Sequence, residues 1–210
     1  MGRGGSKATQ RYKGGGNLNP NNVKNRRDLI GQRGKMENEV DSVLNVGKNV
    51  KEEYGDQIGN YQLADIGGKD ANTLAFYDGS NIVMNSKYFN EKAMNSAYDD
   101  SVKSGFHPSR CKKSGLEAVA AHEFGHELTD SVAKKIGAKS LDEAATTIVN
   151  EARKNTKHKG VVQMAAKISK YATASNAEAI AEAYADTYCN GKKAKAESKA
   201  IMKVVNNYLK

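Results

Sequence analysis

The order of local signals constrains this chain most: short extended segments come early, and helices fill the remainder. Tyr61 to Ile66, Thr73 to Tyr77 and Asn81 to Asn85 are rich in β-branched and aromatic residues. Gly67-Gly68-Lys69-Asp70 and Asp78-Gly79-Ser80 separate them, and these are the residue types of tight turns. Glycine supplies the positive φ of a tight connection, so the last two segments are read as a hairpin. Beyond His107-Pro108, five segments are read as helices: Gly115 to Ile136, Ser140 to Asn155, Val161 to Tyr171, Ala177 to Cys189 and Ala194 to Leu209. Ahead of the strands, Met36, Val40, Val43, Leu44 and Val50 recur on one helix face and predict a helix over Met36 to Tyr54. Strands followed by helices give an α+β fold, a small antiparallel sheet and then a helical half. Ser140 with Glu143 reads as a capping box, Asn176 as an N-cap, and Gly137 and Gly191 as helix stops.

The 210 residues suffice for one domain with a proper core, and charge marks where that domain begins. Residues 1 to 35 hold nine basic side chains against the single acid Asp28, so eight of the nine net positive charges lie there. Eight glycines and few apolar residues leave that stretch without a periodic face. It is therefore read as a disordered basic tail, with the domain spanning 36 to 210. Such a tail makes weak contact with nucleic acid through phosphates, or serves as a plain linker. Tyr12 is its only aromatic residue, which offers no stacking pattern. No apolar run reaches membrane-span length, and the N-terminus lacks the apolar core of a secretory signal. Cys111 and Cys189 form no paired motif, so reduced thiols and a cytoplasmic setting are expected.

One motif carries chemistry. His122-Glu123-Phe124-Gly125-His126 lies inside a predicted helix, where four-residue spacing puts both imidazoles on one face, within reach of a single zinc ion. Glu123 then lies beside the metal, placed to act as general base toward an activated water. Hydrogen-bonded structural histidines are the plain alternative. A catalytic zinc needs a third protein ligand. His107, before a proline, and His158, among Lys154, Lys157 and Lys159, are expected to be solvated. Glu178-Ala179-Ile180-Ala181-Glu182 instead supplies two carboxylates one turn apart on a helix of small residues.

These residues resemble the peptidase domain of anthrax lethal factor and its relatives, including the Pro-Pro endopeptidases. In that family a His-Glu-x-x-His helix is followed by a tyrosine and, seven residues on, a glutamate ligand. Tyr171 and Glu178 stand at that spacing, and Glu178 to Tyr184 is similar to the family's Glu-x-x-Ala-Glu-Ala-aromatic run. The resemblance covers roughly residues 70 to 190 and implies a zincin-like fold of gluzincin type. It implies His122, His126 and Glu178 as ligands to one zinc, Glu123 as base and Tyr171 as oxyanion donor. Glu182 and Asp130 are candidates to orient the ligating histidines. By the same resemblance, Ile82 to Asn85 would pair with an extended substrate, or be ordinary sheet residues. The resemblance does not extend to the toxin's other domains, so its substrate does not carry over.

The expected function is that of a zinc-dependent endopeptidase acting on a protein or peptide. A looser similarity to phage head-associated proteins suggests a virion-associated or delivered effector. The contrasting expectation is a non-catalytic phage accessory protein that keeps the fold, its basic tail on nucleic acid. Metal-assisted hydrolysis of another bond is a third possibility.

Overall fold

The computed structural model describes residues 18–55 and 60–210. The first strand, β1 (Val23–Asp28), is almost wholly polar and exposed. It is held by its antiparallel ladder to β2 (Asn60–Ile66) and by the Arg26–Asp78 and Arg27–Asp65 ion pairs. Expected disorder to residue 35 is thus corrected for 18–35, where a strand shows no hydrophobic alternation because neither face is buried. Residues 1–17, the rest of the expected tail, lie outside the described residues.

Between these strands, α1 (Glu37–Tyr54) starts with Glu37 and Glu39 in its first turn, favourable at the positive end of a helix dipole. It buries Val40, Val43, Val46, Val50 and Tyr54 along one face. A hairpin comes next, β3 (Ala75–Tyr77) and β4 (Asn81–Asn85), turning at Gly79 with φ +93° as glycine permits. The strand order is β1-β2-β4-β3. β4 inserts between β2 and β3 and runs parallel to β2, with Tyr61 opposite Ile82. The expected wholly antiparallel sheet is therefore a mixed one. Side-chain alternation splits its two faces. Tyr61, Leu63, Ala75, Ile82 and Met84 join the main core, while Ala64, Ile66, Phe76 and Val83 form a small cluster closed by Leu18 and Val23.

The chain then forms α2 (Glu91–Lys103), a helix not expected from the sequence. Its signal is faint, an Asn90 cap and Met94, Ala97 and Tyr98 buried on one face. The long α3 (Gly115–Ile136) opens with a capping box between Ser114 and Glu117 and closes at Gly137 in the left-handed conformation. Next come α4 (Leu141–Lys154), α5 (Val161–Ile168), α6 (Asn176–Asn190) and α7 (Ala196–Leu209). Three boundary details differ from expectation. Glu143 accepts from Lys139 N–H rather than completing the Ser140 box, although Ser140 does cap α4. Ser175, not Asn176, caps α6, its hydroxyl accepting from Glu178 N–H, while the Asn176 amide donates to Thr146. The α5 helix stops at Ile168, leaving Tyr171 in a separate 3-10 turn, Tyr171–Thr173. Cys111 is exposed and Cys189 buried, both as free thiols. No described helix is long and apolar enough to cross a membrane.

Two features position the site. Gly125 lets α3 touch α6 backbone to backbone, since a Cβ there would lie 2.5 Å from Ala181 Cα. Gly125→Ala is therefore expected to lower stability by about 1–3 kcal/mol, the usual range for overpacking, in a urea titration. The second feature is the turn after α2, tied back by Arg110, whose guanidinium grips Asp99 through Nε at 2.8 Å and Nη2 at 2.9 Å. That grip holds the Asp99 carboxyl below its ordinary 3.8. A depressed carboxylate stabilises above its unfolded pKa and loses that contribution as pH falls through the lower folded value. Asp99→Asn should thus cost up to about 1 kcal/mol at neutral pH and progressively less on acidification below the ordinary value. A pH series of denaturant titrations reads this.

Candidate metal centre

Helix α3 turns His122 and His126 toward α6, whose first turn carries Glu178. His122 Nε2 lies 3.1 Å and His126 Nε2 3.5 Å from Glu178 Oε2. One donor atom from each residue lies within 4.8 Å of the others, and all three residues are buried. Donors held at about 2.0–2.1 Å around one tetrahedral ion stand about 3.3 Å apart, so both measured separations suit a shared ion. His122 Nε2 and Glu178 Oε2 are buried without a hydrogen-bond partner. Such atoms cost about 1–3 kcal/mol each when left unsatisfied, and a cation between them would satisfy both. The chain therefore contains a buried His/His/Glu group able to hold a metal ion.

Electrostatics point the same way. Burial opposes charge on His122, yet Glu178 and Glu182 push its pKa well above the ordinary imidazole value. Burial likewise works against the Glu178 carboxylate, but His126 and His122 hold it well below the carboxylate range. The pocket stabilises positive charge beside Glu178.

Glu182, one turn after Glu178, takes the other side of His122. Its Oε1 lies 2.7 Å from His122 Nδ1 and 2.8 Å from His107 Nδ1, and its Oε2 accepts from Ser169 Oγ at 2.7 Å. An ionised carboxylate only accepts, so the Nδ1 of each histidine carries a proton, and Nε2 is the nitrogen that His122 offers to a metal in exchange for its own proton. Burial would raise the Glu182 pKa, but His107 and His122 draw it down to about 2.

Tyr171 donates its hydroxyl to Glu178 Oε1 at 3.0 Å, its ring stacked on His122 with centroids 5.7 Å apart. Burial first, then Glu178, raises its pKa. Glu123 is 1% exposed, and its Oε2 has no hydrogen-bond partner. Its pKa is raised chiefly by burial, against the pull of His122, His126 and a backbone hydrogen bond from Tyr77. An apolar recess of Leu74, Ala75, Tyr98 and Val119 adjoins His122 and Glu123.

The five residues predicted for the site, His122, Glu123, His126, Tyr171 and Glu178, thus converge, with Glu182 in the predicted orienting position. Four expectations are corrected. His107 is buried against Glu182 rather than solvated, a contact across 75 positions that no local signal announces. His158 pairs with Glu197 at 2.8 Å. Asp130 binds Lys134 and the Tyr77 hydroxyl and orients neither site histidine among the contacts described. Finally, β4 is an inner strand, and its Asn85 side chain is committed to Thr73 O and Lys87 N–H, so the free edge beside α3 belongs to β3. Comparison with known proteins finds no matching family model, curated protein or solved structure.

Proposed function

We propose that the chain is a zincin-like zinc endopeptidase, with His122, His126 and Glu178 holding one zinc. The observation that carries this reading is the meeting of that donor triad with the unpartnered, buried carboxylate oxygen of Glu123, one residue from a ligand on the same helix. Two histidines and a carboxylate leave a zinc site open for a reacting group, unlike the closed sites of structural zinc. Zinc there would supply Lewis acidity, making water acidic near neutral pH and polarising a carbonyl. Glu123 removes the proton from the attacking water and returns it to the departing amine. Burial brings its proton affinity closer to neutrality, which suits both transfers. The Tyr171 hydroxyl, poised on Glu178, donates to the oxyanion as charge develops.

A peptide finds its register on β3. Asp78 N–H bonds Asn81 O and Leu74 O accepts from Asn85 N–H, so by alternation Ala75 and Tyr77 direct their peptide groups to the outer edge, where Glu123 takes the Tyr77 N–H and leaves the Ala75 groups and the Tyr77 carbonyl to a substrate. An extended chain added there runs beside Glu123.

The test is elemental analysis of protein purified without added metal, alongside mass-spectrometric scoring of a peptide library. About one zinc per chain is expected, lost in His122→Ala and Glu178→Ala, together with cleavage that tracks the zinc. Protein that takes up no zinc even when it is supplied would overturn the proposal and favour the non-catalytic alternative.

A further inference from the structure

Resting on the zinc-site reading above, we infer that His107 is a positioning residue for that site: it fixes the Glu182 carboxylate that orients His122. A buried carboxylate with one donor can rotate about its terminal torsion. Glu182 has three donors from three separate segments. His122 comes from α3, Ser169 from the turn before α6 and His107 from the turn after α2. The two histidines address the same oxygen, at 2.7 and 2.8 Å, so Oε1 is pinned between them. Glu182 is fully buried, and no water is needed to complete its accounting.

His107 is itself held on its faces and edges. Its ring lies nearly parallel to Tyr98, with centroids 5.3 Å apart and an 8° tilt. Phe106, His122 and Tyr171 meet it edge to face at 5.0, 6.0 and 5.5 Å. The same turn also seats Tyr171. Phe106 O accepts from Tyr171 N–H at 3.1 Å, Gly105 O accepts from Lys170 N–H at 2.9 Å, and the Phe106 ring stacks on Tyr171 at 4.8 Å. Gly105 adopts φ +71°, which permits the reversal. One short turn therefore sets the tautomer and aim of His122 and the placement of Tyr171.

The chemical role of His107 separates from its bulk. His107→Phe keeps a ring to stack on Tyr98 but removes the donor, whereas His107→Asn restores an N–H close to the Nδ1 position. Zinc affinity, measured by competition with a chromophoric chelator, should weaken about ten- to a hundredfold in His107→Phe and recover to within a few-fold in His107→Asn. In zinc-loaded protein, 1H–15N spectra should show a slowly exchanging His122 Nδ1–H in the wild type and one lost to solvent exchange in His107→Phe. Turnover should fall with KM little changed. Ser169→Ala, which removes another Glu182 donor outside the aromatic cluster, should weaken zinc several-fold and serves if the phenylalanine variant does not fold. Wild-type affinity in His107→Phe or in Ser169→Ala overturns the inference, as does equal damage by Phe and Asn, which would assign the effect to packing. Wild-type protein that binds no zinc overturns the metal-site reading and this inference with it, and so is distinguished from failure of His107 alone.

Discussion

Replacing Glu123 by glutamine is expected to abolish detectable peptide hydrolysis while zinc content stays at the wild-type level. The two side chains have the same shape, and Glu123 is not among the three donors that meet at Glu178 Oε2. The substitution removes the ability to take up and release a proton, and positioned general acid–base catalysis is worth about 10²–10⁴ in rate. Stability should not suffer. Burial already makes the charged form of Glu123 unfavourable, so a neutral amide relieves a desolvation cost, and the Tyr77 N–H still meets an oxygen acceptor. Three measurements on one preparation separate the possibilities: cleavage of the best library peptide, zinc per chain and the melting temperature. Lost cleavage with zinc and melting preserved assigns the base. Undiminished cleavage would sink the mechanism, and lost zinc would show that Glu123 holds the metal rather than serving it.

The legibility of this site depends on how far apart in sequence its parts are. His122, Glu123 and His126 are readable because an α-helix fixes their relation within one turn. Ser114 and Glu117 cap that helix by an equally local rule. Glu178 and Glu182 are readable only as a pair, since both are buried and nothing local says which one meets both histidines, and Tyr171 enters only through the spacing of the family that the chain resembles. Gly125 opposite Ala181 does say which carboxylate it is, but only once both helices are placed. His107 reads as solvated because the partners that bury it, Glu182 and Tyr171 above all, lie far along the chain. For the same reason the sheet is legible as strands and not as topology. The hairpin between β3 and β4 is local, whereas the parallel pairing of β2 with β4 is decided by where the connection between β2 and β3 runs. β1 leaves no trace in the hydropathy pattern because its ladder bonds and ion pairs, not apolar burial, hold it to the sheet.

Stripping the metal is expected to lower the melting temperature by about 8–16 °C, reversibly on adding zinc back. A ligand present at about a thousand times its dissociation constant stabilises the folded state by about 4 kcal/mol. For a chain of this size each kcal/mol is worth about 2–4 °C. The effect should be global, because the donors bridge α3 and α6, and these two helices form the most extensive helix pairing in the fold. It should also depend on pH in a defined direction. In the zinc-free protein, His122 has a pKa well above its ordinary 6.5, raised by Glu178 and Glu182 against burial. A raised pKa means that protonation of His122 stabilises the zinc-free fold fully below the ordinary value and loses that contribution as pH rises through the folded one. Zinc binding needs that nitrogen unprotonated, so proton and metal compete for the same electron pair. The gap in melting temperature between zinc-loaded and zinc-free protein should therefore widen from about pH 6 to about pH 8, and His122→Ala should show no gap at either. A chelator that leaves the wild-type melt unchanged would remove the metal from the account of this fold. A gap that persists in His122→Ala would place the stabilising ion somewhere other than between α3 and α6.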